Sequence, residues 1–240
     1  MTTFAIVKAS YSWVPVPTSP DPNVRKPDAV GGYCGAGFFV NSKTVVSANH
    51  VLNESTFSPD HGRSHAQVWL ISPDGHIVEI DASMLSSYPE LDLAVLRVPS
   101  KVPASAQLSL ALKNPNEGEA IYNQGYPDSG KPDLDLQVVD PSTGQPKIAL
   151  TGGDLSSAVF RCDGSVSSVG RKSVMANDMT LRNVMIVRTD YGGVVGMSGG
   201  PLIRKSDQNV VGFMSHGYPP DATRKKVLCA GSVTEFVDHL

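Results

Sequence analysis

The segment Gly196-Met197-Ser198-Gly199-Gly200-Pro201-Leu202 sets one serine in a glycine-rich turn between two strand-like runs, residues 183–189 and 201–203. Glycines relax the backbone, so Ser198 can project while its own N–H and that of Gly196 face a common point. Two donors converging on one point make an oxyanion hole. Ser-Gly-Gly is also a common chain reversal, so the segment alone leaves catalysis and a plain turn both open. A serine used as a nucleophile needs a base beside it and a group to orient that base.

Working outward, the chain has 240 residues, enough for a sizeable core in one or two domains. Gly 22 and Pro 18 together make about a sixth of it, more than average but short of a disordered composition. A turn-rich folded chain is expected to be a β protein. The net charge of −3 gives no pull on nucleic acid or on an anionic membrane. No stretch has the ~18 consecutive apolar residues of a membrane span. The apolar patch Phe4-Ala5-Ile6-Val7 lacks a cationic flank and an A-x-A site, so it does not read as a signal peptide. Cys34, Cys162 and Cys229 are odd in number and widely spaced, which suits neither a disulfide framework nor a zinc site. Reduced thiols and a cytoplasmic location are the expectation.

Strand signals dominate. Residues 4–8 form a short apolar strand, and residues 11–28, broken by Pro15, Pro17, Pro20, Pro22 and Pro27, read as a surface loop. Runs 37–40 and 44–48 pair about a turn at 41–43, and runs 66–72 and 76–81 flank Pro73-Asp74-Gly75. Residues 91–98 (LDLAVLRV) make a buried strand, and the polar run 113–119 a boundary. Strands resume at 120–124, 136–139, 158–161, 183–189, 201–203, 210–214 and 226–230. Residues 128–154 and 162–180 read as loops over a cleft. Only 232–240 looks helical: Ser232 or Thr234 caps it, and Val233, Phe236, Val237 and Leu240 form its apolar stripe. The pattern is all-β: a 1–28 segment, then two small antiparallel barrels or sandwiches over 29–116 and 117–240.

Six histidines are available as the base. His50 closes the run Val45-Val46-Ser47-Ala48-Asn49-His50, at the end of an apolar strand. Asp92 opens Leu91-Asp92-Leu93-Ala94-Val95-Leu96, where an unpartnered carboxylate would be costly. Each alone also reads as structure, a packed ring and a strand-end aspartate. His61 and His65 are four apart but sit in a polar loop without the H-E-x-x-H glutamate, so no metal site and no cofactor are expected.

His50, Asp92 and Ser198 follow one another at separations of 42 and 106 residues. Together with Cys34-Gly35-Ala36-Gly37-Phe38, with Asp92-Leu93-Ala94-Val95-Leu96, with Thr189-Asp190 ahead of the serine and with Val211-Gly212-Phe213-Met214-Ser215 after it, this order resembles the trypsin-like serine proteases, nearer the HtrA/Deg branch than the secreted digestive enzymes. The resemblance implies two six-stranded β-barrels with the site between them. It assigns Ser198 as nucleophile, His50 as general base and acid, Asp92 as the group that orients His50, and the N–H groups of Gly196 and Ser198 as the oxyanion hole. A protein or peptide is the implied substrate, with no cofactor.

The chain also departs from that family. Met197 replaces the aspartate that pairs with a newly cut N-terminus in secreted trypsins. Val30-Gly31-Gly32 imitates the trypsin start, but too close to Cys34 to act as one. Val51 stands where trypsins carry the partner of the cysteine matched by Cys34. Only 42 residues follow Ser198, too few for the PDZ domain of HtrA enzymes. By resemblance the specificity pocket is lined by Gly192, Met197, Ser215, His216, Gly217 and Leu228, with the backbone of Ser215 and Gly217 pairing with substrate as an added strand. The uncharged base near Gly192 favours a small or medium apolar side chain before the cut. His216 instead would favour an acidic or glutamine side chain, or would line the substrate strand. An active endopeptidase, a catalytically silent barrel that binds peptides, and a viral polyprotein-processing protease all fit, as does control by a regulatory partner or oligomer.

Overall fold

The computed structural model describes residues 3–58, 64–72, 75–99, 101, 104–126, 134–139, 147–153, 159–176, 179–218 and 227–240. Seven strands form the first sheet: β1 (Thr3–Pro15), β2 (Arg25–Phe39), β3 (Thr44–Ala48), β4 (Ser64–Ile71), β5 (Ile77–Ile80), β6 (Leu85–Tyr88) and β7 (Leu93–Arg97). They pair antiparallel in the order β5-β4-β1-β2-β3-β7-β6. Among the described residues β5 and β6 are its edges. This half is the first of the two expected barrels, with seven strands where six were expected and with no β5–β6 pairing among the described residues.

The side chains of β1 alternate between two apolar surroundings, the period-2 consequence of the pleat. Phe4 and Ile6 join Phe38, Val46, Leu93 and Leu96 in the main core, whereas Ala5, Val7, Ala9 and Tyr11 pack with Trp69, Ile71, Ile148 and Leu150. Covered on both faces, β1 is buried from Thr3 to Tyr11 except at half-buried Lys8.

The surface loop expected at 11–28 is a ribbon instead. β1 and β2 stay in register out to Trp13↔Pro27 and Pro15↔Arg25. The reversal at their tip is closed by Val16 N–H on Val24 O at 3.0 Å. Proline is compatible with a ribbon laddered along one side only, where its missing N–H faces away from the partner. The prolines hid the strands but did not break them.

The second half holds β8 (Ala120–Gly125), the hairpin β9 (Leu134–Val139) with β10 (Lys147–Gly153), then β11 (Phe160–Ala176), β12 (Met179–Thr189), β13 (Pro201–Arg204), β14 (Val210–Tyr218) and β15 (Val227–Ser232). Six of these close into a barrel in the order β11-β12-β15-β14-β13-β8. Two expected loops are corrected here. Residues 162–180 fall largely within β11, whose first half pairs with β8 and second half with β12. The part of 128–154 that is described is the β9–β10 hairpin, which covers the outer face of β1. A Cβ on Gly31 of β2 would come within 2.7 Å of Leu136 Cδ1, so this glycine admits the hairpin at close range.

The tail is helical as expected. Ser232 caps the short helix Val233–Phe236, accepting a hydrogen bond from Thr234 N–H at 3.2 Å. Phe236 of that helix meets Phe213 edge to face at 5.6 Å. One core then runs through both halves, from Phe4 and Leu93 to Leu202, Phe213 and Phe236. All three cysteines are unbridged thiols.

Candidate active site

His50 lies on α1 (Asn49–Leu52), a single turn at the end of β3. No side chain of its own segment caps that turn. Asp92, 42 residues later, does the work: its backbone carbonyl accepts from Asn49 N–H at 2.8 Å, and its Oδ1 from His50 N–H at 3.0 Å. Two of the donors left over at a helix start are thereby satisfied from β7's side.

Asp92 itself is placed by local sequence. Pro89 opens a 3-10 turn over Pro89–Leu91, and Asp92 ends it in the left-handed region, at φ 52° and ψ 34°. Aspartate is among the few non-glycine residues that tolerate that conformation. The following strand β7 pairs Leu93 with Ala48 of β3, which brings the aspartate level with His50.

The Asp92 side chain is 0% exposed, while that of His50 is 38% exposed. His50 Nδ1 stands 3.0 Å from both Oδ1 and Oδ2. Ser215 Oγ donates to Oδ2 at 2.5 Å. A buried carboxylate persists only when paired and hydrogen-bonded, and these contacts meet that requirement. With Nδ1 facing the carboxylate, Nε2 is the ring nitrogen left to act as a base.

Ser198 belongs to the other barrel. The turn that carries it has Gly196 at φ 95° and Gly199 at φ 83°, a region L side chains rarely adopt. Gly199 N–H donates to Met214 O at 2.7 Å and Met214 N–H to Gly200 O at 2.8 Å, which ties the turn to β14. Ala36 N–H donates to the Ser198 carbonyl at 2.7 Å. A Cβ on Gly199 would collide with Ala36 O and Ser47 Oγ and approach Ala48 N. The serine turn thus rests on the end of β3, one residue before the turn that bears His50.

Met197 is fully buried, packed with Met214 beneath the turn, and the Asn123 amide reaches both sulfurs, at 3.8 Å and 3.2 Å. Gly192 is half-buried, its carbonyl 3.9 Å from Cys162 Sγ. Gly217 is exposed on β14 and pairs with Leu228 of β15 in register. The side chain of Leu228, the whole of His61 and the side chain of His65 lie outside the described residues. His216 is 6% exposed, with its Nδ1 3.0 Å from Ser215 Oγ. Burial pushes its imidazole down to about 4, against a smaller upward pull from Asp92. Asp190, of the Thr189-Asp190 pair, bonds within its own barrel: its carboxylate accepts from Ser165 N–H and Ser165 Oγ, both at 2.7 Å.

The contact that composition and spacing did not reveal is Ser215 on Asp92. The two are 123 residues apart, and nothing near either marks the pairing.

A family model, described as a trypsin-like peptidase domain, matches residues 35–213. The chain belongs to the trypsin-like peptidase family. That match takes in His50, Asp92, Ser198 and the strands that carry them. Among solved structures, this peptidase is similar to the HtrA-type protease AlgW with a decapeptide, at TM-score 0.64 and 17% identity, over 99% of this chain and 62% of that one. It is also similar to the active form of the Rv3671c protease of M. tuberculosis, at TM-score 0.56 and 19% identity, over 98% and 78% of the two chains. The apo MamO protease domain of Magnetospirillum magneticum gives TM-score 0.55 and 16% identity, over 98% and 95%. At such identities these likenesses establish the fold, and the peptidase spans less than two thirds of AlgW. No curated protein sequence matches it.

Proposed function

We propose that this peptidase is a serine endopeptidase that works through an acyl-enzyme. Ser198 Oγ attacks a peptide carbonyl carbon while its proton passes to His50 Nε2. The carbonyl π pair moves onto oxygen and is held by the N–H groups of Gly196 and Ser198, each such donor being worth on the order of 10²–10³ in rate. Collapse expels the amine, which takes the proton from His50. Water then repeats the sequence on the ester and frees Ser198. Asp92 holds the ring so that Nδ1 carries the proton and Nε2 the lone pair.

The observation that carries this reading is the fully buried Asp92 carboxylate set against Nδ1 of a half-open His50 ring. A buried charge kept for structure alone would have no need of a titratable partner open to solvent. A peptide is the substrate class that fits, and AlgW was solved with one. Gly192 and Gly217, the expected pocket residues that are not buried, carry no charge, which favours a small or medium apolar side chain before the cut, whereas Met197 and the Ser215 side chain are buried.

The test is fluorophosphonate labelling together with cleavage of fluorescein-labelled casein. Wild type labels at one serine and Ser198→Ala does not. A wild type as inert to the probe as Ser198→Ala, with both folded by circular dichroism, would remove the enzyme reading and leave a peptide-binding barrel.

A further inference from the structure

His216 follows Ser215 on β14, and the ring is turned inward. A serine hydroxyl has one proton to give. Ser215 Oγ lies 2.5 Å from Asp92 Oδ2 and 3.0 Å from His216 Nδ1. A carboxylate only accepts, so the serine proton is committed to Asp92. Two lone pairs do not pair with each other, so the Nδ1 beside that oxygen bears the ring proton. The contacts form a directed chain in which His216 donates to Ser215, Ser215 donates to Asp92, and His50 donates to the same carboxylate from the other side.

We propose that His216 is a positioning residue for the triad: as an Nδ1–H donor it fixes the direction of the Ser215 hydroxyl and, through it, the rotation of the Asp92 carboxylate that orients His50. The assignment rests on the serine endopeptidase reading for its catalytic consequence and on hydrogen-bond geometry for its direction.

The surroundings suit a neutral donor. Leu181 and Ile186 of β12, Phe213, Phe236 and Glu235 line the same crevice as His216, and Glu235 is itself paired with Arg171 at 2.9 Å. Cys229 of β15 is its cross-strand partner. Asp92 favours the charged ring, while burial, His50 and Arg188 oppose it more strongly. A cation this close to His50 would disfavour the imidazolium that catalysis requires. A neutral imidazole supplies the hydrogen bond without that penalty. The chain also gives His216 work distinct from the substrate-facing role expected of it, since its Nδ1 points along the strand to Ser215.

Two measurements test it. In protein labelled with ¹⁵N-histidine, two-bond proton–nitrogen spectra from pH 5 to 8 show the His216 ring neutral with the proton on Nδ1, its signals assigned by their loss in His216→Asn. A proton on Nε2, or protonation within that window, overturns the chain.

The second is the fluorophosphonate labelling rate in a double-mutant cycle. His216→Phe and Ser215→Ala each slow labelling roughly 3- to 10-fold, the worth of one hydrogen bond. The double variant is no slower than the slower single, because both changes remove the same link. His216→Asn, whose amide N–H can take the Nδ1 position, stays within about twofold of wild type. Additive losses, or an Asn variant as slow as Phe, mean that His216 only fills space and overturn the proposal. A wild type that resists the probe sinks the endopeptidase reading instead, and the tautomer then decides the chain by itself.

Discussion

The N–H of Ala36, on β2 of the first sheet, donates to the carbonyl of Ser198, in the turn of the second barrel, at 2.7 Å. A main-chain bond therefore runs from one half of the molecule to the backbone of the proposed nucleophile. His50 and Asp92 are held by β3 and β7 on the same sheet as Ala36. The separation of His50 and Ser198 is set by how the halves dock, and the two halves share one close-packed core that includes Phe38, Leu93, Leu202 and Phe213.

Gly199→Ala tests the docking directly. The substitution meets two penalties, a left-handed φ of 83° and a Cβ driven into Ala36 O and Ser47 Oγ. The expected cost is more than ~2 kcal/mol in urea unfolding, with labelling of Ser198 slowed more than tenfold. Unchanged stability and labelling would mean that the turn does not rest on Ala36.

Asp92→Asn keeps the left-handed backbone, which asparagine tolerates, and keeps the side chain's volume. It removes the charge and lets the wrong His50 tautomer form. Casein cleavage at pH 7 should fall by about 10⁴, with a far-UV spectrum like that of wild type. A loss under tenfold would show that Asp92 does not orient the base.

His216 links stability to acidity. A histidine in the unfolded chain titrates near 6.5, whereas burial holds His216 at about 4 in the fold. Between those values the unfolded chain binds a proton that the native one refuses, so stability falls as pH drops through that window and is complete above it. The contribution is at most about 3 kcal/mol. Urea midpoints at pH 7 and 4.5 should separate more for wild type than for His216→Asn, and equal separations would contradict the burial effect.

Asp190→Ala removes the acceptor of two 2.7 Å bonds from Ser165 and loosens the loop leading to Gly196. A loss of about 1–3 kcal/mol is expected, visible as a lower thermal midpoint. Labelling should slow far less than in Asp92→Asn, because Asp190 does not touch His50. Equal losses in the two variants would place Asp190 in the catalytic machinery.

Much of this was legible in the chain. The apolar runs ending at His50 and beginning after Asp92, and the glycines around Ser198, are local signals, and each encodes a strand end or a turn that the fold uses. The helical tail and its Ser232 cap follow from the same local rules. The strands within 11–28 and 162–180 were not legible, for one reason. Pro-rich and Ser/Gly-rich segments have weak strand preference, and what makes them strands is pairing with β1 on one side and with β8 and β12 on the other.

The sequence by itself determined which residues stand at strand ends and in the serine turn, because backbone preference and apolar periodicity act over a few neighbours. The tertiary structure alone decided that Ser215 reaches Asp92 across 123 residues, that His216 Nδ1 faces Ser215 Oγ, and that Ala36 grips Ser198. Those contacts depend on sheet register and on the docking of two barrels, which sum many weak, distant interactions and leave no mark at any single position.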